Sequence, residues 1–475
     1  MISIAFLLFS LTPVIILLML ARYSYKEGYR LITAVVFATA IYYVILFTYP
    51  VWYSTFTDFH FERMMNISNE EYGLLPVIFG EILFVLTFAI VIVSKKIHIK
   101  KTTFVHTKND RRLVILITTI GFMVVFFKFQ SSITDMTDMI NRSKGVYYTN
   151  SSGMLFSWIE GVFQMPAIIT SAIILFPSNK VEKYRLLWRL LAISVLLIVA
   201  MQGLTMGIRG RVVTIVITLA IVGYINKRKE PFYYGVIIML IATTLFTFLG
   251  GPMRSLYYSS NNDLSRIGLI STIYDEATGS ESSASQYGAA DNRFLFKLAE
   301  RAQAPRNSIV LYEQFDSGNL AGLWPIVSAL HLPIPKALWK EKRPAGSSNS
   351  LTYGQATYVV RKVGHGAYDY NMGPYLTSAH AYWEGGWLWL LTMSIVTAIF
   401  LKLVLSWSEK RKSIFSLIVV LILMQGVISN GFITIFQPLF EYIRYFWIMI
   451  FPLFILNFII SKRFVINKSY KKCIK

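Results

Sequence analysis

The chain has 475 residues, of which 55% are hydrophobic and 15% are charged, and its mean hydropathy is +0.53. This composition excludes an ordinary soluble protein, in which about 25% of residues are charged, and it predicts an all-α integral membrane protein. The net charge of +21 requires no nucleic-acid partner, because membrane proteins concentrate Lys and Arg in cytoplasmic loops beside anionic lipid headgroups.

Ten apolar stretches have about the 18 or more residues that a helix needs to cross a bilayer. They lie at residues 2–21, 31–52, 72–94, 113–130, 155–176, 186–206, 232–250, 386–406, 413–432 and 439–460. A shorter stretch covers 212–225. Counting it, we expect about 11 transmembrane helices, eight in residues 1–250 and three in residues 386–475, with residues 251–385 forming one large loop. The first stretch lacks the flanks of a cleaved signal, so we expect it to be retained.

Basic residues are distributed unevenly over the loops between these stretches. Alternate loops and the residues after 460 carry 26 Lys and Arg against five Asp and Glu. Loops of this kind stay on the cytoplasmic side during insertion, so we expect an extracytoplasmic N-terminus and a cytoplasmic C-terminus. The large loop then lies outside the cytoplasm, and loops of that length usually bind or act.

A cramped turn, "GIRGR", places Arg209 and Arg211 on the extracytoplasmic side, where the insertion rule does not explain them. A helix that begins at this turn directs its free N–H groups outward beside two guanidinium groups. That combination suits a diphosphate. The alternative is that both arginines only anchor the hairpin at lipid phosphates.

The large loop supplies further arginines. Two short amphipathic helices are predicted on either side of Pro305, and the segment "LPIPKALWKEKRP" combines Trp and Lys as segments in the headgroup layer do. Near the start of the last span, Glu441 and Arg444 are spaced to pair. The candidates for binding a diphosphate are Arg209, Arg211, Arg254, Arg301, Arg306, Arg343 and Arg444.

Groups that can transfer a proton are concentrated at the end of the large loop. His365, His380 and Glu384 lie within 20 residues of one another, and any of them could act as a general base. On a helix, His380 and Glu384 would share one face. Each could equally be a structural hydrogen-bonding residue. Within the spans, Glu81 is the ionisable residue hardest to explain as structural.

Motifs for other chemistries are missing from the sequence. It contains no HExxH, Asp-x-Asp, GxGxxG, Walker or Gly-x-Ser-x-Gly pattern and no His/Cys cluster with ligand spacing. We therefore expect neither a metal ion nor a cofactor, and no nucleotide-driven or acyl-serine chemistry.

The plan of the chain resembles the Wzy-type polysaccharide repeat-unit polymerases, which make O-antigen or capsule and belong to the C-type glycosyltransferases. The resemblance rests on about eleven spans, the "GIRGR" turn, the single large loop with "LPIPKALWKEKRP", and the closing "YLTSAHAYWEGGW". It implies a metal-independent enzyme of the bacterial inner membrane that transfers a glycan from undecaprenyl diphosphate to a sugar hydroxyl at the extracytoplasmic face. The implied partners are undecaprenyl diphosphate-linked oligosaccharides, membrane lipids, and a chain-length regulator and flippase of the same pathway.

Two other functions stay open. An O-antigen ligase or another lipid-linked glycosyltransferase would share the fold and the carrier lipid, although the ligases follow a key His with a polar residue and His380 is followed by Ala381. A lipid-linked oligosaccharide flippase would also be polytopic. A transporter of that kind is expected to show inverted repeats, and the sequence shows no internal repeat.

Overall fold

The computed structural model describes residues 2–56, 70–94, 108–134, 151–177, 184–205, 209–226, 304–316, 318, 320–331, 376–411, 413–424 and 439–460. Every regular element within these ranges is helical, and none of these residues forms a strand. The predicted all-α fold is confirmed for this part of the chain. The chain divides into two units: Met1–Val105, Ala299–Gly426 and Ile433–Ile459 form the first, and His106–Leu298, Val427–Phe432 and Ile460–Lys475 form the second.

The described helices are numbered in chain order. They are α1 (Ile2–Lys26), α2 (Arg30–Tyr43), α3 (Tyr49–Phe56), α4 (Glu70–Val93), α5 (Lys108–Thr134), α6 (Ser151–Leu175), α7 (Leu186–Thr205), α8 (Arg209–Ile225), α9 (Ala304–Asp316), α10 (Trp324–Leu330), α11 (Thr377–Arg411), α12 (Ile414–Met424) and α13 (Leu439–Tyr445). A π-helical turn, Val44–Thr48, joins α2 to α3, and a second one, Phe446–Ile450, extends α13 into helical residues 451–460.

Ten described segments are apolar helices. Five of them are long and apolar enough to cross a membrane: Leu8–Lys26, Leu74–Val93, Asp110–Gln130, Thr377–Ser408 and Glu441–Ile460. The shorter ones are Arg30–Ile41, Val162–Leu175, Leu186–Gln202, Thr214–Ile225 and Ile414–Leu423. They coincide with ten of the eleven predicted stretches, and the eleventh, 232–250, lies outside the described residues. The structure is that of a helical membrane protein.

In the first unit, α4 packs against α1, α9 and α11. Phe84 and Phe88 of α4 are buried, and so is Trp383 of α11. Lys402 of α11 donates hydrogen bonds to the carbonyls of Val91 and Ile92, at 3.1 and 3.3 Å. These carbonyls lie in the last turn of α4, where backbone acceptors are available to side chains, so a side chain from α11 joins the two helices.

A break divides α11 at Gly385 and Gly386, which leave the helical conformation. Gly386 has φ +72° and ψ −161°, a region that essentially only glycine adopts. A Cβ at this position would also lie 2.8 Å from Cζ of Phe315. We call residues 377–384 the short segment. Sequence hydropathy begins the span at 386, because the short segment is too polar to be recognised as apolar, but the structure continues the helix back to Thr377.

The second unit contains α5 to α8. Helices α5 and α6 run antiparallel: the Thr118 hydroxyl donates to that of Thr170 at 2.8 Å, and a Cβ on Gly121 would overlap that of Ala167. The side-chain amide of Gln202 in α7 donates to the Val125 carbonyl at 3.0 Å. Helix α8 packs against α6 and α7. The sequence predicts a turn at 207–211 with the helix after it, whereas α8 already contains Arg209 and Arg211 in its first turn.

Candidate functional site

The short segment brings two of the predicted proton-transfer groups together. His380 Nδ1 lies 3.3 Å from Glu384 Oε1, and both side chains are buried. The predicted shared helix face is therefore confirmed. The other oxygen of Glu384, Oε2, accepts a hydrogen bond of 2.9 Å from Nε1 of Trp389, beyond the break in α11. Trp389 thus holds one oxygen of the carboxylate, and the other oxygen lies beside the Nδ1 side of the imidazole.

A second pair lies near this histidine. In α13, Arg444 Nη1 lies 3.5 Å from Glu441 Oε1, so the predicted pairing is confirmed. Glu441 is buried, whereas the Arg444 side chain is 46% exposed. Glu441 is also close enough to His380 for their charges to interact. In the first unit, Glu441 therefore interacts both with the candidate base His380 and with the candidate arginine Arg444. His380 also has Glu384 as its own carboxylate partner.

The other predicted arginines are placed less fully. Arg209 and Arg211 lie in the first turn of α8, and Arg306 lies in the first turn of α9; their side chains are outside the described structure. The remaining candidates, Arg254, Arg301, Arg343 and His365, fall wholly outside the described residues. Their roles stay predictions.

The structure surrounds Glu81 with partners that sequence reasoning missed. Glu81 lies within the apolar segment of α4 and is fully buried. Its Oε1 accepts a hydrogen bond from the Tyr43 hydroxyl, and its Oε2 accepts one from the Ser378 hydroxyl. These partners are 38 and 297 residues away in the chain. No local pattern in the sequence could have identified them.

Aromatic side chains pack around this carboxyl group. A Cβ on Gly80 would overlap the Tyr312 hydroxyl, so the missing side chain leaves the space that Tyr312 of α9 occupies. The Tyr312 ring stacks on that of Tyr382, with centroids 4.1 Å apart, and the Tyr382 hydroxyl donates to Asp316 Oδ1 at 3.0 Å. Burial and then the charge of Glu81 raise the pKa of the Tyr312 hydroxyl well above its usual range. Tyr312 therefore stays protonated at physiological pH.

Two carboxyl groups at the end of α9 face a more open environment. The pKa of Glu313 is raised by partial burial and by the neighbouring charge of Asp316. Both residues are exposed. Asp316 accepts the hydrogen bond from Tyr382 and so connects α9 to the short segment.

An imidazole aligned by a carboxylate is the arrangement that a general base requires, and a half-exposed guanidinium nearby can bind an anion. The described part of the first unit contains both. No family model matches the chain, and no curated protein or solved structure is similar enough to it to count as a match.

Proposed function

We propose that the protein is a Wzy-type polysaccharide repeat-unit polymerase of the bacterial inner membrane, with about 11 spans and the large loop, residues 251–385, on the extracytoplasmic side. The observation that carries this proposal is the buried His380–Glu384 pair, whose imidazole is near enough to Glu441, the partner of Arg444, for the two charges to interact. The sequence resemblance supports it, since the short segment lies within the motif "YLTSAHAYWEGGW".

The proposed reaction is a glycosyl transfer between two lipid-linked oligosaccharides. The bond between the anomeric carbon of the donor glycan and an oxygen of undecaprenyl diphosphate breaks. A new bond forms between that carbon and a hydroxyl oxygen of the acceptor repeat unit. The hydroxyl proton passes to the base, and the diphosphate leaves with the electron pair. The exchange of the glycosyl diphosphate bond for a glycosidic bond is favourable and drives the reaction.

We assign the base to His380. Trp389 Nε1 donates to Glu384 Oε2, and Glu384 Oε1 lies 3.3 Å from His380 Nδ1, so we assign Glu384 the role of the imidazole's carboxylate partner and not that of the base. With Nδ1 directed at Glu384, Nε2 is the atom that takes the acceptor's proton. The Glu384 carboxylate then stabilises the imidazolium that forms.

We assign Arg444 to the leaving diphosphate. The sequence prediction that Arg209, Arg211, Arg254, Arg301, Arg306 and Arg343 bind a diphosphate stays a prediction for each of them separately. Charge develops on the diphosphate as its bond breaks, and guanidinium groups that are already in place stabilise it in the transition state. The pairing with Glu441 holds one side of Arg444 and leaves the other exposed. This exposed side is where the diphosphate is expected to bind.

The test uses the purified protein in lipid nanodiscs with the lipid-linked repeat units of the producing cell. The polymerase predicts a ladder of products that differ by one repeat unit, still attached to lipid. A single transferred chain on a different acceptor would instead identify a ligase. If no glycosidic bond forms, the proposal is wrong, and movement of the intact lipid-linked substrate across a bilayer would indicate a flippase.

A further inference from the structure

We propose that Glu81 is a positioning residue, which acts through Ser378 to hold the short segment in the orientation that the His380–Glu384 pair needs. In its kinetic consequences this inference rests on the proposed function. The structural part stands on its own, because it concerns the orientation of a helical segment and not a reaction.

Burial of the Glu81 carboxyl group costs free energy. The side chain is fully buried inside an apolar helix, where an ionisable group carries a large desolvation penalty. Among the described residues, its hydrogen-bond partners are two hydroxyl groups, and no basic side chain forms an ion pair with it. A leucine would fill the same space without this penalty, so the carboxyl group must be needed for its hydrogen bonds.

These hydrogen bonds connect three helices. Tyr43 ends α2, immediately before the π-helical turn, and Ser378 lies in the first turn of α11. Glu81 stands between them on α4 and accepts from both. One carboxyl group therefore ties the beginning of the short segment to two helices of the first unit.

Holding Ser378 also sets the rotation of the short segment about its axis. Ser378 and Tyr382 are four residues apart and contact Glu81 and α9. His380 and Glu384 are likewise four residues apart and meet each other on a different face. Because the segment is rigid and helical, a rotation that moved Ser378 away from Glu81 would also redirect the imidazole.

The short segment needs such a contact because it is not simply the end of a long helix. The break at Gly385 and Gly386 separates it from the rest of α11. Among the described residues, α9 and the residues that follow it add two further polar attachments at this end of α11: Leu376 N donates to Ser308 Oγ at 3.0 Å, and Ala321 N donates to the Trp383 carbonyl at 3.0 Å. Glu81 adds an attachment to α4, the apolar helix beside it.

The structure offers a matched control for this contact. Ser394 also lies in α11, is fully buried, and donates a hydrogen bond of 2.7 Å to the Phe84 carbonyl of α4. It joins the same two helices as Ser378 but lies beyond the break. Removing either hydroxyl should lower stability by a similar amount, whereas only the loss at Ser378 should disturb the short segment.

The kinetic test compares Glu81→Leu, Glu81→Gln, Ser378→Ala and Ser394→Ala. We expect Glu81→Leu and Ser378→Ala to lower kcat about 10-fold or more with little change in KM, because a misplaced base slows the chemical step and leaves binding intact. Glu81→Gln keeps the size and one acceptor oxygen and should recover most of the activity. Ser394→Ala should stay within about 2-fold of the native kcat.

A double variant tests whether Glu81 acts through Ser378. If it does, the kcat of Glu81→Leu combined with Ser378→Ala should be no lower than that of the more impaired single variant, since both break one connection. If the kcat of the double variant fell by the product of the two single-variant reductions, the inference would be contradicted. Equal reductions of kcat in Ser378→Ala and Ser394→Ala would also contradict it, because they would indicate a general loss of helix packing.

The structural test does not depend on activity. His380 is fully buried, so diethyl pyrocarbonate should modify it slowly, and mass spectrometry of its peptide measures the rate. We expect Glu81→Leu and Ser378→Ala to raise that rate about 5-fold or more, as a locally opened segment would, and Ser394→Ala to leave it unchanged. Unchanged rates in the first two variants would overturn the inference even if the protein polymerises. A raised rate in a protein that forms no glycosidic bond would support the positioning and reject the proposed function.

Discussion

Replacing Gly386 with Ala should destabilise the first unit strongly, and the structure gives two separate reasons. The backbone at Gly386, with φ +72° and ψ −161°, strains an L-residue by about 1–3 kcal/mol. The new Cβ would lie 2.8 Å from Cζ of Phe315 and 3.3 Å from its Cε1, and overpacking of this kind costs about 1–3 kcal/mol. Together we expect a loss of about 2–6 kcal/mol.

Two neighbouring glycines separate these contributions. Gly322→Ala introduces backbone strain without overlap, because φ is +58° and the new Cβ would lie 3.9 Å from its nearest neighbour, Leu320 Cδ1. Gly385→Ala introduces overlap without backbone strain, because a φ of −172° suits any residue. Its new Cβ would lie 2.9 Å from Trp389 Cβ.

The assay is the thermal midpoint of the purified protein in detergent, followed by size-exclusion after heating. We expect Gly386→Ala to have the lowest midpoint of the three variants. Suppression of the added loss by Phe315→Leu in the Gly386→Ala background would identify the overlap. If Gly386→Ala were as stable as Gly322→Ala, the close approach of the Phe315 ring to Gly386 would be wrong.

Three further predictions concern single contacts. Gly80→Ala should lower stability by about 1–3 kcal/mol, because the new methyl group displaces the Tyr312 hydroxyl. Adding Tyr312→Phe, which lacks that hydroxyl, to Gly80→Ala should restore most of the thermal midpoint. An unrestored midpoint would argue against the close approach of Tyr312 to Gly80. Thr118→Val in the second unit should lower the free energy of unfolding by about 1 kcal/mol, because the hydrogen bond to Thr170 is lost. The control is Thr119→Val, which removes a hydrogen bond within one helix. Equal losses of stability in the two variants would contradict the interhelical role of Thr118. Because burial and the charge of Glu81 raise the pKa of Tyr312, the unfolded chain loses this proton at lower pH than the folded one, so stability should fall as pH rises above about 10. Tyr312→Phe should remove part of that alkaline loss, measured as a higher pH of unfolding, and an unchanged midpoint would refute the assigned burial.

Local patterns in the sequence predict the helices and the short-range pairs. Hydropathy alone locates the apolar segments, because a span must be apolar over its whole length. The pairs His380–Glu384 and Glu441–Arg444 follow from the helical repeat, which places residues three and four apart on one face.

The partners of Glu81 and the shape of α11 could not be predicted in this way. Tyr43 and Ser378 reach Glu81 from distant parts of the chain, and the pairing depends on how α2, α4 and α11 pack. Hydropathy also fails to identify the short segment as part of a helix. Its polar residues interrupt the apolar pattern, although they are buried in the fold. Long-range packing therefore determines the part of the candidate site that the sequence does not reveal.

The most direct test of the central claim is polymerisation by His380→Ala, measured as the product ladder from lipid-linked repeat units in nanodiscs. His331→Ala serves as the matched control, because His331 also belongs to the first unit but takes no part in the proposed chemistry. We predict a ladder from the native protein and from His331→Ala, and a rate at least about 100-fold lower from His380→Ala, the effect of removing a general base. A native-like ladder from His380→Ala would contradict the assignment of the base, and the absence of any glycosidic product from the native protein would contradict the proposed function.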